Sequence, residues 1–69
     1  MRDWLKTMRQ ERGLTCKQMA QRMKISEPYY LLIEQGVRQK EMSIRTALLL
    51  AQALEIPARV VIEKESETG

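Results

Sequence analysis

Residues 15–36, TCKQMAQRMKISEPYYLLIEQG, hold two short helical patterns with almost nothing between them. Thr15 precedes a run in which Cys16, Met19, Ala20 and Met23 recur on one helix face, and Gln18 stands three residues on, the reciprocal arrangement of a capping box. After Lys24 and Ile25, Ser26 or Glu27 offers a second cap. Pro28 suits a first turn because its missing N–H is unneeded there, and Gly36 is placed to end the helix. Helices joined this tightly must cross closely. Ala20 is small enough to permit it, and Met19, Met23, Ile25, Tyr30 and Ile33 supply the apolar packing. The second helix carries no Lys or Arg and opens with Glu27, Pro28 and two tyrosines.

Outward from this pair, Asp3 is a candidate cap for a helix running to about Arg12, with Trp4, Leu5 and Met8 on one face and Gly13 closing it. Downstream, the polar loop VRQKEM at 37–42 leads to Ser43, a cap for IRTALLLAQALE, where Ile44, Ala47, Leu48, Ala51 and Leu54 form an apolar stripe ending before Pro57. Pro57 can begin a short fifth helix, although Val60, Val61 and Ile62 are equally strand-prone. The expectation is an all-α, compact domain of four to five helices over residues 1–62, followed by a disordered acidic tail at 63–69.

Composition narrows the chemistry. A chain of 69 residues supports one small core. Cys16 is the only cysteine and there is no histidine, which excludes an intramolecular disulfide, a Cys/His zinc site and a Cys–His nucleophile. A reducing, cytoplasmic setting follows. No run reaches the length of a membrane span, and MRDWLKTMRQERG places charges where a signal peptide needs apolar residues. Without a glycine-rich phosphate loop or a sheltered pocket for carboxylates, no enzyme activity is expected, and no metal or cofactor. Net charge is +3, but residues 63–69 hold three Glu and one Lys, leaving +5 on residues 1–62. Clustered base of that kind suits a polyanion.

The run LKTMRQERGLTCKQMAQRMKISEPYYLLIEQG, followed by LLLAQALEIP, resembles the lambda-repressor-like helix-turn-helix domain of the Xre and Cro/C1 repressor family. The likeness covers roughly residues 4–62. It rests on Arg9, on Leu14 and Thr15, on Ala20, on Ile25 and Ser26, on IEQG at 33–36 and on AQAL at 51–54. It implies a helix-turn-helix at helices two and three, with the second helix presented to the DNA major groove, and a structural salt bridge between Arg9 and Glu34. Glu27, Pro28, Tyr29 and Leu32 then face base edges, while Tyr30 turns inward. Glu27 can accept from a cytosine amino group, Tyr29 can reach a phosphate or base edge, and Pro28 and Leu32 can pack on thymine methyls.

Phosphate contacts would fall to Thr15, Cys16 and Lys17 at a helix N-terminus and to Gln35, Arg38 and Lys40 after helix three. Four features depart from the family pattern: Cys16 replaces a phosphate-gripping glutamine, Lys24 replaces a turn glycine, the 37–42 loop is two residues longer, and Glu27, repelled by phosphate, with Pro28, which cannot donate, leaves the reading surface poor in hydrogen-bond donors. The partner implied is double-stranded DNA with a palindromic operator, bound by a homodimer whose contact patch includes Leu49, Val60 and Ile62. The competing expectation is a protein-interaction module, such as an antitoxin or anti-repressor, that docks a protein through Tyr29, Leu31 and Leu32.

Overall fold

The computed structural model describes residues 1–68, which form α1 (Asp3–Glu11), α2 (Cys16–Met23), α3 (Glu27–Gln35), α4 (Ile44–Leu54) and α5 (Ala58–Thr68). No strand occurs among the described residues. The local signals for α2, α3 and α4 act as their chemistry requires. Thr15 and Gln18 make both bonds of the capping box, at 2.9 and 3.1 Å. Ser26 accepts from the Tyr29 N–H and Ser43 from the Thr46 N–H. Each such cap stabilises its helix by about 1 kcal/mol. Gly13 and Gly36 both take positive φ, and Gly36 ends α3 in the left-handed conformation.

Helix α1 starts differently from expectation. Its N-cap is Arg2, which makes no side-chain cap bond, and Asp3 is the first helical residue. The Arg2 N–H donates instead to the Glu34 carbonyl at 2.8 Å, so the end of α3 fixes the entry to α1 one residue early. Asp3 still lies where the positive end of the helix favours an acid.

Helix α4 is rotated relative to the expected stripe. Ile44 and Leu48 are 73% and 47% exposed, and the buried residues are Thr46, Ala47, Leu50, Ala51, Ala53 and Leu54. Leu49 is half-buried against the core. A helix this apolar on most sides has no unique period to fix its rotation.

The strand-prone 60–62 run is helical. Val61 is buried in α5, while its neighbours Val60 and Ile62 are half-buried and exposed. Residues 63–68, expected in an acidic disordered tail, continue this helix, and Gly69 lies outside the described residues. The reason is a specific anchor: Glu65 takes the Arg2 guanidinium at 2.6 Å and the Trp4 indole N–H at 3.1 Å.

In the assembled fold α3 packs between α1 and α2, and α4 between α2 and α5. The core between them holds Leu5, Met19, Tyr30, Ile33, Leu50, Leu54 and Val61, all 1% exposed or less. Tyr30 is the largest of these, and among the described residues its buried hydroxyl meets no partner in hydrogen-bond geometry. Burial first, then the neighbouring Glu34 carboxylate, hold this phenol protonated far above the ordinary tyrosine range. Burial raises the Cys16 thiol in the same sense.

Both groups therefore bind their protons more tightly folded than unfolded, so their contribution is intact below the unfolded pKa and is lost as pH rises past it. Thermal melts should show stability holding to about pH 8, easing as the unfolded Cys16 thiol titrates, and falling further above about pH 10 where the unfolded Tyr30 phenol does. Tyr30→Phe keeps the ring and removes an orphan hydroxyl, so its Tm at pH 7 should equal or exceed that of the wild type, with a shallower alkaline decline. Tyr30→Ala, which empties the site, should cost about 3–5 kcal/mol.

Candidate nucleic-acid interface

The face that carries the expected contacts is assembled by Arg9. Its Nε and Nη2 donate to Glu34 Oε2 and Oε1 at 3.0 and 3.2 Å, and Nη1 donates to the Leu14 carbonyl at 2.8 Å. One guanidinium thus joins α1 to the end of α3 and to the residue that leads into α2. Glu34 is 1% exposed, and hydrogen bonding to it raises the Arg9 pKa. Removing either partner leaves a buried charge unpaired, a penalty of about 3–5 kcal/mol.

On this frame the first turn of α3 leaves Glu27 and Pro28 exposed, and Tyr29 and Leu32 half-buried. Tyr30 points into the core, so the adjacent tyrosines are separated. The turn between α2 and α3 is set by Lys24, which takes φ +58°, and by Ile25, whose N–H returns to the Ala20 carbonyl. Holding a lysine there costs on the order of 1 kcal/mol.

Of the residues expected at phosphates, Thr15 uses its hydroxyl in the capping box, and Cys16 is half-buried with a thiol kept protonated. The backbone N–H groups of Cys16 and Lys17 open α2. The Lys17, Gln35, Arg38 and Lys40 residues are exposed, the last three at and beyond the end of α3.

Four further residues organise this surface, and no local pattern announced them. Arg2, only 5% exposed, donates to the carbonyls of Ile33, Arg38 and Gln39 and pairs with Glu65, tying α5 to the 37–42 loop. Arg12 and Arg22 donate to the Leu54 and Ala53 carbonyls at the end of α4, at 2.8 and 2.7 Å. Gln39 links Tyr29 Oη, at 3.1 Å, to the Ser43 N–H, at 3.2 Å. Arginine bonds to distant backbone carbonyls leave no partner to find in the sequence.

A family profile described as helix-turn-helix matches residues 5–61. The chain belongs to the Cro/C1-type helix-turn-helix family. This is a family of DNA-binding regulator domains. The chain is also 39% identical over 44 residues to YqaF of Bacillus subtilis (strain 168), an uncharacterised HTH-type transcriptional regulator; the match takes in 64% of this chain and 58% of that relative. No solved structure matches significantly. Among the described residues no helix is long and apolar enough to cross a membrane, and no three or more His, Cys, Asp or Glu residues gather where they could hold a metal ion.

For this Cro/C1-type domain, the position of Arg9 behind the exposed face yields a direct expectation. Arg9→Ala should destabilise the fold by about 3–5 kcal/mol. Its affinity for DNA per folded molecule, measured by titration below the melting transition, should fall far less. A stable Arg9→Ala protein deficient only in binding contradicts the structural assignment.

Proposed function

We propose that this chain is a sequence-specific DNA-binding transcriptional regulator, a repressor that acts in the cytoplasm as a homodimer and inserts α3 into the major groove of a palindromic operator. The observation that carries the reading is the α2–α3 geometry. A capped α2 and a short left-handed turn deliver α3 with Tyr30 and Ile33 buried and Glu27, Pro28, Tyr29 and Leu32 at or near the surface. In this reading the latter four meet base edges. Thr15, Cys16, Lys17, Gln35, Arg38 and Lys40 meet phosphates, Thr15 and Cys16 through the start of α2 because their side chains are engaged or withdrawn.

Support for the homodimer comes from an apolar surface on the α4–α5 side. Ile44 and Ile62 border a groove of about 440 Å³ whose lining includes Met42 and Ala47, and Leu48 is exposed nearby on α4. Leu49, expected in that patch, is instead half-buried. A second reading, a protein-docking module, is favoured by one observation: Leu31 and Val37, on and just after α3, are 40% and 53% exposed.

Selection of bound sequences from random duplex DNA separates the two. The regulator reading expects a palindrome with half-sites about one helical turn apart, and binding that weakens steeply with salt. Lys40→Ala should weaken all sequences by a similar factor, while Leu32→Ala should keep its Tm and change preference at one or two positions by roughly 1–3 kcal/mol. Absence of any salt slope, or an unchanged selected site in Leu32→Ala and Tyr29→Ala, favours the docking reading.

A further inference from the structure

Helix α3 has few groups with which to read a base. The Glu27 carboxylate only accepts hydrogen bonds, and the side chains of Pro28 and Leu32 neither donate nor accept. Tyr29 is the remaining polar group of the four, and a phenol hydroxyl can serve either role. Its surroundings decide which.

Gln39 lies in the loop after α3 with φ +56°, a left-handed conformation that is strained for a glutamine. Its side-chain amide spans two fixed groups. The Ser43 N–H can only donate, so the amide atom 3.2 Å from it is Oε1. The atom 3.1 Å from Tyr29 Oη is then Nε2, which can only donate. Tyr29 Oη is therefore an acceptor toward Gln39, and its own proton is left for a third group. Among the described residues no acceptor takes that proton. The loop holding Gln39 is pinned from behind, since Arg2 donates to the Arg38 and Gln39 carbonyls while paired with Glu65.

We infer that Gln39 is a positioning residue that fixes the hydrogen-bond polarity of Tyr29, so that α3 presents a phenol O–H donor to an acceptor on DNA. This rests on the DNA-binding role of α3 proposed above. The acceptor is a base-edge atom such as guanine N7 or O6, or thymine O4, or else a phosphate oxygen. The direction of this α3 donor is thus set by a residue outside the helix.

The test is a double-mutant cycle on duplex DNA carrying the selected site. Gln39→Glu is nearly isosteric and keeps an acceptor for the Ser43 N–H, so its Tm should match that of the wild type. Its second oxygen replaces the Nε2 donor and draws the Tyr29 proton inward. Tyr29→Phe should cost about three- to tenfold in wild-type protein, the value of one net hydrogen bond, and nothing in the Gln39→Glu background. The negative charge that Gln39→Glu adds lowers affinity equally with and without the Tyr29→Phe change, so it cancels from the cycle. If the loss is confined to one base at one position, the acceptor is a base edge; if it is uniform across sequences, the acceptor is a phosphate.

In the free protein, Tyr29→Phe should also shift the Gln39 side-chain NH2 resonances in a ¹⁵N correlation spectrum. Equal Tyr29→Phe effects in both backgrounds, or none in the wild type, overturn the inference while the DNA-binding reading stands. A wild-type protein that binds no duplex overturns both, even if the NMR shift shows the Gln39–Tyr29 bond in place.

Discussion

The bidentate Arg9–Glu34 pair is the constraint on which the rest of this domain depends. Three short helices, α1 to α3, have 8 or 9 residues each, below the length at which a helix is stable alone in water. Apolar contacts order them only loosely in angle, because ridges and grooves admit several crossings. Arg9 removes that freedom: it grips Glu34 near the end of α3 and the Leu14 carbonyl at the approach to α2. Glu34 is buried and can satisfy its charge only in this geometry. The angle at which α3 is offered to a partner therefore follows from one planar guanidinium two helices away.

Arginine repeats this role elsewhere. Arg2, Arg12 and Arg22 all donate to carbonyls at or near the ends of helices, where the orphan acceptors and the negative helix end favour a cation. A guanidinium presents several donors in a rigid fork, so Arg2 serves three carbonyls and the Glu65 carboxylate together. The basic character of the chain is thus divided. Four arginines are committed to internal bonds, and the exposed positive charge near α3 comes from Lys17, Lys24, Arg38 and Lys40.

This division explains what could be read from the sequence. Caps were legible because Thr15, Ser26 and Ser43 act on groups three residues away, and Gly13 and Gly36 act on their own φ. The inward turn of Tyr30 and the Arg9–Glu34 pair were legible through the family resemblance. The rotation of α4 was not, since Leu48, Leu49 and Leu50 offer equal apolarity and only the packing of α2 and α5 selects Leu50. The ordering of 63–68 was hidden for another reason. Three glutamates in seven residues read as a solvated tail, and the order depends on Arg2 and Trp4, some sixty positions earlier. Gln39 was missed because a loop glutamine has no pattern until its two partners are in place.

The same division separates the electrostatics of the fold from those of the surface. A pair buried to the extent of Arg9 and Glu34 is screened little by salt, whereas exposed lysines beyond a Debye length of about 8 Å from their partners are screened almost fully. Fold geometry and long-range attraction thus respond differently to ionic strength. The orientation of α3 and the polarity of Tyr29 are held by short, directional, partly buried bonds, which persist when salt has removed most of the attraction to a polyanion. What remains at high salt is the part of recognition that depends on shape and hydrogen-bond direction. In the proposed reading that part falls to the first turn of α3 and to Leu32, and the orientation of α3 is set by the Arg9–Glu34 pair packed behind them.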